Sequence, residues 1–596
     1  FFDNPFFILK ENRNSFGRDR IFGNIVATYD LNENFSFSLR NGMDYSNELR
    51  RFRRAFSSNR FKNGAYAEHS IFFREINSDF LLNYREKLGD LSLEVSLGGN
   101  RMDQQGAAVQ IQALSLAQPG IFKLSNAASP LEVFDFESHK RINSFYGIAK
   151  LGYRDFLYLD ITGRNDWSSA LATPVSAQNT SFFYPSVSSS FVLSNAIELP
   201  KVINFAKLRL SWAQVGNDTD PFQTAGVFQA QTPYNGQPTF SDQSTIASSA
   251  LLPERTTSIE FGTDLRFLSD RIRLDATYYD ATTKNQIISL PIPVSSGYTE
   301  RVVNGGAVRS RGLEIVLGIT PIANKDFRWN TTFNFSRNIA TVESLPTGTG
   351  TLTLAYSRVY DNVNQTVWFQ VQEGGRIGEM YGTGYLKNEN GDFVIDANGK
   401  YIVNNELILL GNYNPDFILG MGNNFRYKNF DLSFLLDWRK GGALVSRTLA
   451  LAGVAGQLIE TESRPDAGII AQGVVNVGTD ENPVWEANTT AIPAETYYRQ
   501  YYDRNHEENN VYNASYLKLR EFSLGYTFKP DTEEGFFRNG RTLRLAFVGR
   551  NLFAISQIPH FDPEQLAVQG QKYISGVEDM SYATSRSLGI KIGLNF

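Results

Sequence analysis

Ser587-Leu588-Gly589-Ile590-Lys591-Ile592-Gly593-Leu594-Asn595-Phe596 closes the chain. Leu588, Ile590, Ile592, Leu594 and Phe596 share one parity, and Gly589, Lys591, Gly593 and Asn595 the other. That period of two marks a β-strand with one apolar face. A soluble sandwich and a membrane barrel both use such strands. An aromatic residue at the last position is also how most bacterial outer-membrane barrels end, and Phe596 is read on that ground as an assembly signal.

The same alternation recurs through the chain. Phe430, Leu432, Phe434, Leu436 and Trp438 oppose Asp431, Ser433, Leu435, Asp437 and Arg439; Phe327, Trp329, Thr331, Phe333 and Phe335 oppose Arg328, Asn330, Thr332, Asn334 and Ser336. Ile272, Leu274, Ala276 and Tyr278 repeat it, as do Leu157, Leu159 and Ile161. The pattern yields about seventeen candidate strands. Residues 513–528 break parity, and a β-bulge near Arg520-Glu521 reconciles their two halves.

Connection lengths separate the two architectures. Short turns at 31–33, 85–90, 154–155, 269–270, 321–326 and 428–429, with looser ones at 194–205 and 529–540, alternate with long connections. The long ones cover 46–70, 102–140, 166–181, 217–253, 284–300, 338–411, 440–511 and 552–582. An outer-membrane barrel keeps this parity because its periplasmic turns are short and its extracellular loops long. The expected fold is all-β, a transmembrane antiparallel barrel occupying residues 1–596 as one domain.

Composition agrees. There are 596 residues with net charge −5, no cysteine, 45 Phe and 28 Tyr. The acidic balance gives no electrostatic case for nucleic acid. No stretch reaches the eighteen or more apolar residues of a spanning helix; residues 443–459 come nearest and are interrupted by Arg447. The chain opens Phe1-Phe2-Asp3-Asn4-Pro5, without an initiator Met or a signal peptide.

Several segments resemble the SusC/RagA family of TonB-dependent outer-membrane importers from Bacteroidetes. Thr162-Gly163-Arg164-Asn165-Asp166-Trp167-Ser168 with Phe183-Tyr184-Pro185-Ser186-Val187-Ser188 is similar to its GRxDxS…FPSVS strand pair. Lys207-Leu208-Arg209 through Gly216-Asn217 and Glu254-Arg255-Thr256-Thr257 through Lys284 follow in family order. So do Asn304-Gly305-Gly306 through Gly312-Leu313-Glu314 and Asn414-Pro415-Asp416-Phe417 with Tyr427-Lys428-Asn429-Phe430-Asp431-Leu432. Asn513 to Arg520, Gly549-Arg550-Asn551-Leu552-Phe553 and Phe561-Asp562-Pro563-Glu564 complete the series.

The resemblance implies a 22-stranded barrel plugged by an N-terminal domain and capped by a SusD-like lipoprotein. The plug, the TonB-interacting segment and about five strands are not in this chain, which is therefore expected to be the C-terminal portion. It implies TonB-dependent import of an oligosaccharide or oligopeptide, with membrane lipid and lipopolysaccharide as surroundings. A passive porin or a barrel-anchored adhesin is the alternative on the same strand pattern. A soluble all-β glycan-binding protein is a third, carried by pattern ambiguity alone.

No P-loop, HExxH, cysteine metal cluster or GxSxG elbow is present, and the four His are dispersed. No enzyme and no cofactor are expected. Asp392 to Gly399 has calcium-loop flavour without the spacing or final Glu of an EF-hand, and reads as a tight Asn-Gly turn. The basic run around Arg53 and Arg54 falls in an expected extracellular connection, where it meets lipopolysaccharide phosphate, an acidic ligand or the lipoprotein, or is simply solvated. Tyr497, Tyr498, Tyr501 and Tyr502 lie in another, placed to stack on sugars, pack on a lid or hold the loop to the rim. Tyr279, Trp438 and Tyr526 are read as interface girdle.

Overall fold

The computed structural model describes residues 3–346, 348–359, 362–529, 541–569, 572–581 and 583–595. Phe596 and most of the turn expected at 529–540 lie outside them. Seventeen strands form one antiparallel sheet, and the chain divides into two compact units.

The first unit holds β1 (Asn14–Asp30), β2 (Phe35–Phe56), β3 (Asn63–Leu88), β4 (Leu91–Ala113), β5 (Glu132–Tyr153), β6 (Leu157–Ser168) and β7 (Ser181–Val192). Each pairs with the next in an unbroken antiparallel ladder. The strands β8 (Ile203–Asn217), β9 (Glu254–Phe267) and β10 (Ile272–Lys284) have residues in both units, as does β7 through its last residue, Val192. The second unit holds β11 (Ala307–Ala323), β12 (Phe327–Ser344), β13 (Phe417–Tyr427), β14 (Phe430–Lys440), β15 (Tyr516–Phe528), β16 (Thr542–Ser556) and β17 (Ser587–Asn595), again in sequential ladders. Among the described residues β1 ladders only with β2 and β17 only with β16, so these strands do not close a barrel.

Register puts like with like. In the second unit Phe335, Leu419, Trp438 and Leu517 lie abreast on one face, while Glu314, Ser336, Asp437 and Lys518 occupy the other. In a soluble sandwich a second sheet would cover the apolar face. Here that face is open: Leu588 is 65 % exposed and Ile590 78 %, and in the first unit Ile25 is 79 % and Phe145 59 %. The buried apolar clusters instead lie largely in the long connections. One gathers Val367, Phe369, Met380, Val445, Ala567 and Val577; in the first unit another gathers Leu171, Phe182, Leu251 and Val302. An apolar face without a covering layer, beside polar connections with their own cores, matches a sheet built for lipid.

Short and long connections alternate as the sequence suggested, with one exception. The connection expected over 46–70 shrinks to 57–62, because β2 and β3 continue well past their apolar stretches. Arg50 to Arg54 are strand residues, not loop residues: Arg51 pairs with Glu68 and Arg53 with Tyr66 across the ladder. The bulge is present. Leu435 pairs with Glu521 and Leu436 with Leu519, leaving Arg520 as the extra residue of β15. No helix among the described residues is long and apolar enough to cross a membrane, a fact that does not bear on β-strands.

Candidate functional site

Cross-strand ion pairs line the polar face. In the first unit Arg18 and Arg50 flank Glu48, Arg20 Nη2 meets Asp44 Oδ2 at 2.7 Å, and Arg40 Nε meets Asp79 Oδ2 at 2.9 Å. In the second unit Arg544 meets Asp431 across two ladders. Charges opposed on neighbouring strands satisfy one another, so the polar face stays wet without leaving a net field.

The bulge concentrates this arrangement. Freed from the ladder, Arg520 donates from Nε to Asp437 Oδ2 at 2.8 Å and from Nη2 to Glu564 Oε1 at 2.7 Å. Lys518, only 3 % exposed, donates to Glu564 Oε2 at 2.6 Å and also pairs with Asp562. Two cations thus clamp the Phe561-Asp562-Pro563-Glu564 turn onto the wall. They hold the Glu564 carboxyl down at about 2 against the opposing effect of burial. Beside them is a cavity of about 790 Å³ lined by Glu314, Asn334, Ser336, Asp437, Arg520 and Arg550.

A lobe over the connections of the second unit is built on the helix Arg447–Val454. Ser446 caps it, accepting from Leu449 N at 3.1 Å, and Glu578 accepts from Ser446 Oγ and Thr448 Oγ1 at 2.8 and 2.6 Å. A carboxylate at that end complements the helix dipole. Arg447 reaches Ser357 through two bonds and lies 3.6 Å from Glu507. Glu507 is fully buried, and burial pushes its carboxyl up to about 7.

The tyrosine run falls on the helix Ala494–Tyr501 and its cap. Tyr497 packs against Tyr385, Ile395 and Tyr401; Tyr498 and Tyr502 pack against Leu449 and Leu458; Tyr501 touches both clusters. The Tyr498 hydroxyl donates to Ser463 O at 2.9 Å. Their rings are packed within the lobe. Arg53 lies over Phe122 at 5.5 Å, and Arg54 donates to Asn14 Oδ1 at 3.0 Å. Asp396 Oδ1 accepts from Asn398 N and Lys400 N, the tight turn expected there. No group of three or more metal-binding side chains occurs among the described residues. Tyr279 corrects the girdle reading. It shares the polar face with Asp275 and Thr277, and its ring lies over Gly312.

The repeated motifs turn out to be tethers. Arg164 Nε donates to Asp166 Oδ1 at 2.8 Å, Tyr184 bonds the same carboxylate, and Ser168 and Lys140 hold Asp218 at the start of a long connection. Asn304 takes the backbone of Leu252 in both directions, at 2.7 and 2.8 Å, and Glu254 accepts from Ile287 N at 2.9 Å. Arg164, Asp166, Ser168, Tyr184, Glu254 and Asn304 were legible as motif residues, whereas Lys140 and Asp218 were not; together they pin loops to strand ends.

The sequence profile described as TonB dependent receptor-like, beta-barrel matches residues 2–552. The chain belongs to this family of outer-membrane barrels. Among its relatives is TonB-dependent receptor P3 of Formosa agariphila, 24 % identical over 595 residues, covering 94 % of this chain and 56 % of that protein. TonB-dependent receptor SusC of Bacteroides thetaiotaomicron is 24 % identical over 494 residues, 77 % of this chain and 44 % of SusC. The fold matches the solved RagAB peptide transporter with a TM-score of 0.74 at 17 % identity, over 99 % of this chain and 63 % of that one. The chain thus spans about half the length of the curated TonB-dependent receptors it matches.

Proposed function

We propose that residues 1–596 are the C-terminal part of a TonB-dependent outer-membrane importer of large nutrients in a Gram-negative cell. The family match over residues 2–552 carries this reading. The rest of the protein supplies the strands that complete a 22-stranded barrel and a plug that engages the TonB complex. A SusD-like surface lipoprotein closes over the loops, and the cargo is an oligosaccharide or an oligopeptide. Ligand is captured between loops and lid, and pulling on the plug releases it inward. The exposed apolar face meets lipid, while Arg53 and Arg54, at the long-loop end of β2, face lipopolysaccharide or the lid. Phe596 serves assembly. The tyrosines of the helix Ala494–Tyr501 brace the lobe that receives the lid.

Gentle extraction from native membranes, with mass spectrometry of everything that co-purifies, tests this. A plug-bearing segment and a lipoprotein are expected. Recovery of neither, together with steady ion conductance in planar bilayers, identifies a passive pore.

A further inference from the structure

The first unit contains a cleft of about 1120 Å³ between the long-loop end of β5 and the connections over 218–253 and 285–306. β5 starts this cleft at Val133, and Tyr153, at the opposite end, adjoins the short turn. At about 3.3 Å per residue the cleft is tens of ångströms from that turn. It belongs to the water-facing part of the strand.

Its lining has a distinct chemistry. The rings of Phe134, Phe136 and Phe222 are exposed, and Phe136 meets Phe222 edge to face at 6.3 Å. Gln223, Gln229 and Asp220 line it with side chains that make no hydrogen bond among the described residues, while Asp135 and Glu137 alternate to the other face of β5 from Phe134 and Phe136. None of the described lining residues is Lys, Arg or His. Of the cations farther along β5, Lys140 is paired with Asp218 and Arg141 with Asp103. Arg301, next to the lining residue Val302, alternates to the other face of its strand. Phe222 has φ of +69°, a left-handed conformation that is rare and costly for a bulky residue. The fold holds strain to present this ring.

We infer that this cleft is a binding site for an uncharged oligosaccharide. Apolar C–H faces of sugar rings cover the phenylalanines, while the amides of Gln223 and Gln229 and the Asp220 carboxylate exchange hydrogen bonds with the sugar hydroxyls. A sulfated or uronic-acid chain would bring its anions against the Asp220 carboxylate with no compensating cation in the lining. A peptide would find nothing for its terminal carboxylate. The volume exceeds the roughly 300–1,000 Å³ of small-ligand pockets, which suits an oligomer.

This rests on the importer reading, and the experiment separates the two. The full-length protein, purified with its partners, is applied to an array of neutral, uronate and sulfated oligosaccharides together with mixed peptides. Retention of neutral glycans is expected. It should fall at least tenfold in Phe222→Gly, which relieves the backbone while removing the ring, and in Gln229→Ala. Asp220→Lys should shift retention toward the acidic glycans. Retention of acidic glycans or peptides only, of nothing, or of neutral glycans undiminished by Phe222→Gly overturns the inference. TonB-dependent uptake of a peptide or an acidic glycan overturns it too, yet leaves the importer reading standing. Steady conductance without any TonB-dependent uptake sinks the importer reading, and the array then judges the cleft alone.

Discussion

Arg520 is the residue the β14–β15 ladder skips between Leu519 and Glu521, and its Nε donates to Asp437 Oδ2 at 2.8 Å. A bulge re-aims the residue it expels, and here the expelled residue joins the wall to the Asp562–Glu564 turn. Arg520→Ala is predicted to release that turn at a cost of about 1–3 kcal/mol. Protease cleavage within 557–566 of membrane-embedded protein should rise several-fold. Unchanged cleavage would mean Lys518 holds the turn alone.

The same clamp has an acid limit. The carboxyl of Glu564 is depressed to about 2 by its two cations, so the stabilisation it gives is present above the ordinary carboxylate range. That stabilisation is lost as pH falls from about 4.5 through about 2. Cleavage of the turn should therefore stay flat down to pH 5 and climb below pH 4, and Glu564→Gln should abolish the climb. A climb that persists in the variant would place the titrating group elsewhere.

Gly312 is predicted to resist substitution. A Cβ there would lie 2.2 Å from Tyr279 Cζ, so alanine must displace the ring. Gly312→Ala should lower the yield of heat-modifiable protein in the outer membrane. The double variant with Tyr279→Ala should recover part of it. Failure of any recovery would trace the glycine to backbone freedom instead.

Glu507 gives the opposite pH dependence to Glu564. Its folded carboxyl is raised to about 7 by burial, so the stability linked to it is full below about 4.5 and is lost as pH rises through about 7. The lobe on the helix Arg447–Val454 should loosen by on the order of 1–3 kcal/mol between pH 6 and 8. Glu507→Gln should flatten that profile, read by thermolysin cleavage at each pH. A steeper profile in the variant would contradict the assignment.

How much of this was legible in the sequence depends on which face a residue occupies. Alternation is visible where one face is apolar, as from Phe430 to Trp438, and parity even located the Arg520 bulge. Beyond the apolar zone both faces of a strand meet water. Arg50, Arg51, Arg53 and Arg54 then carry charge at both parities, the period vanishes, and a strand reads as a loop. Tyr279 was misplaced for a related reason: an aromatic near a strand end gives no sign of its face unless its register is followed. Lys518 and Glu564 are 46 residues apart, and nothing local announces their meeting. Phe222 carries no sequence signal for its positive φ.

Ile590 tests the exposed face. On β17 it pairs with Phe547 and is 78 % exposed. Ile590→Arg is predicted to cost about 2–4 kcal/mol if that face lies at the bilayer midplane. Lys591→Met, one residue away on the polar face, should be nearly silent. Comparable heat-modified mobility for both variants would argue that the apolar face does not meet lipid.

The buried clusters of the connections answer to water, whereas the ladders beneath them answer to lipid. The two parts of the molecule can therefore drift under separate selection. An exchange of the core residues Val367, Phe369 and Met380 disturbs a lobe and leaves the β12–β13 register untouched. Recombination at strand ends, where Asn304 and Asp218 fasten the loops, would exchange whole connections as cassettes on an unchanged frame of strands.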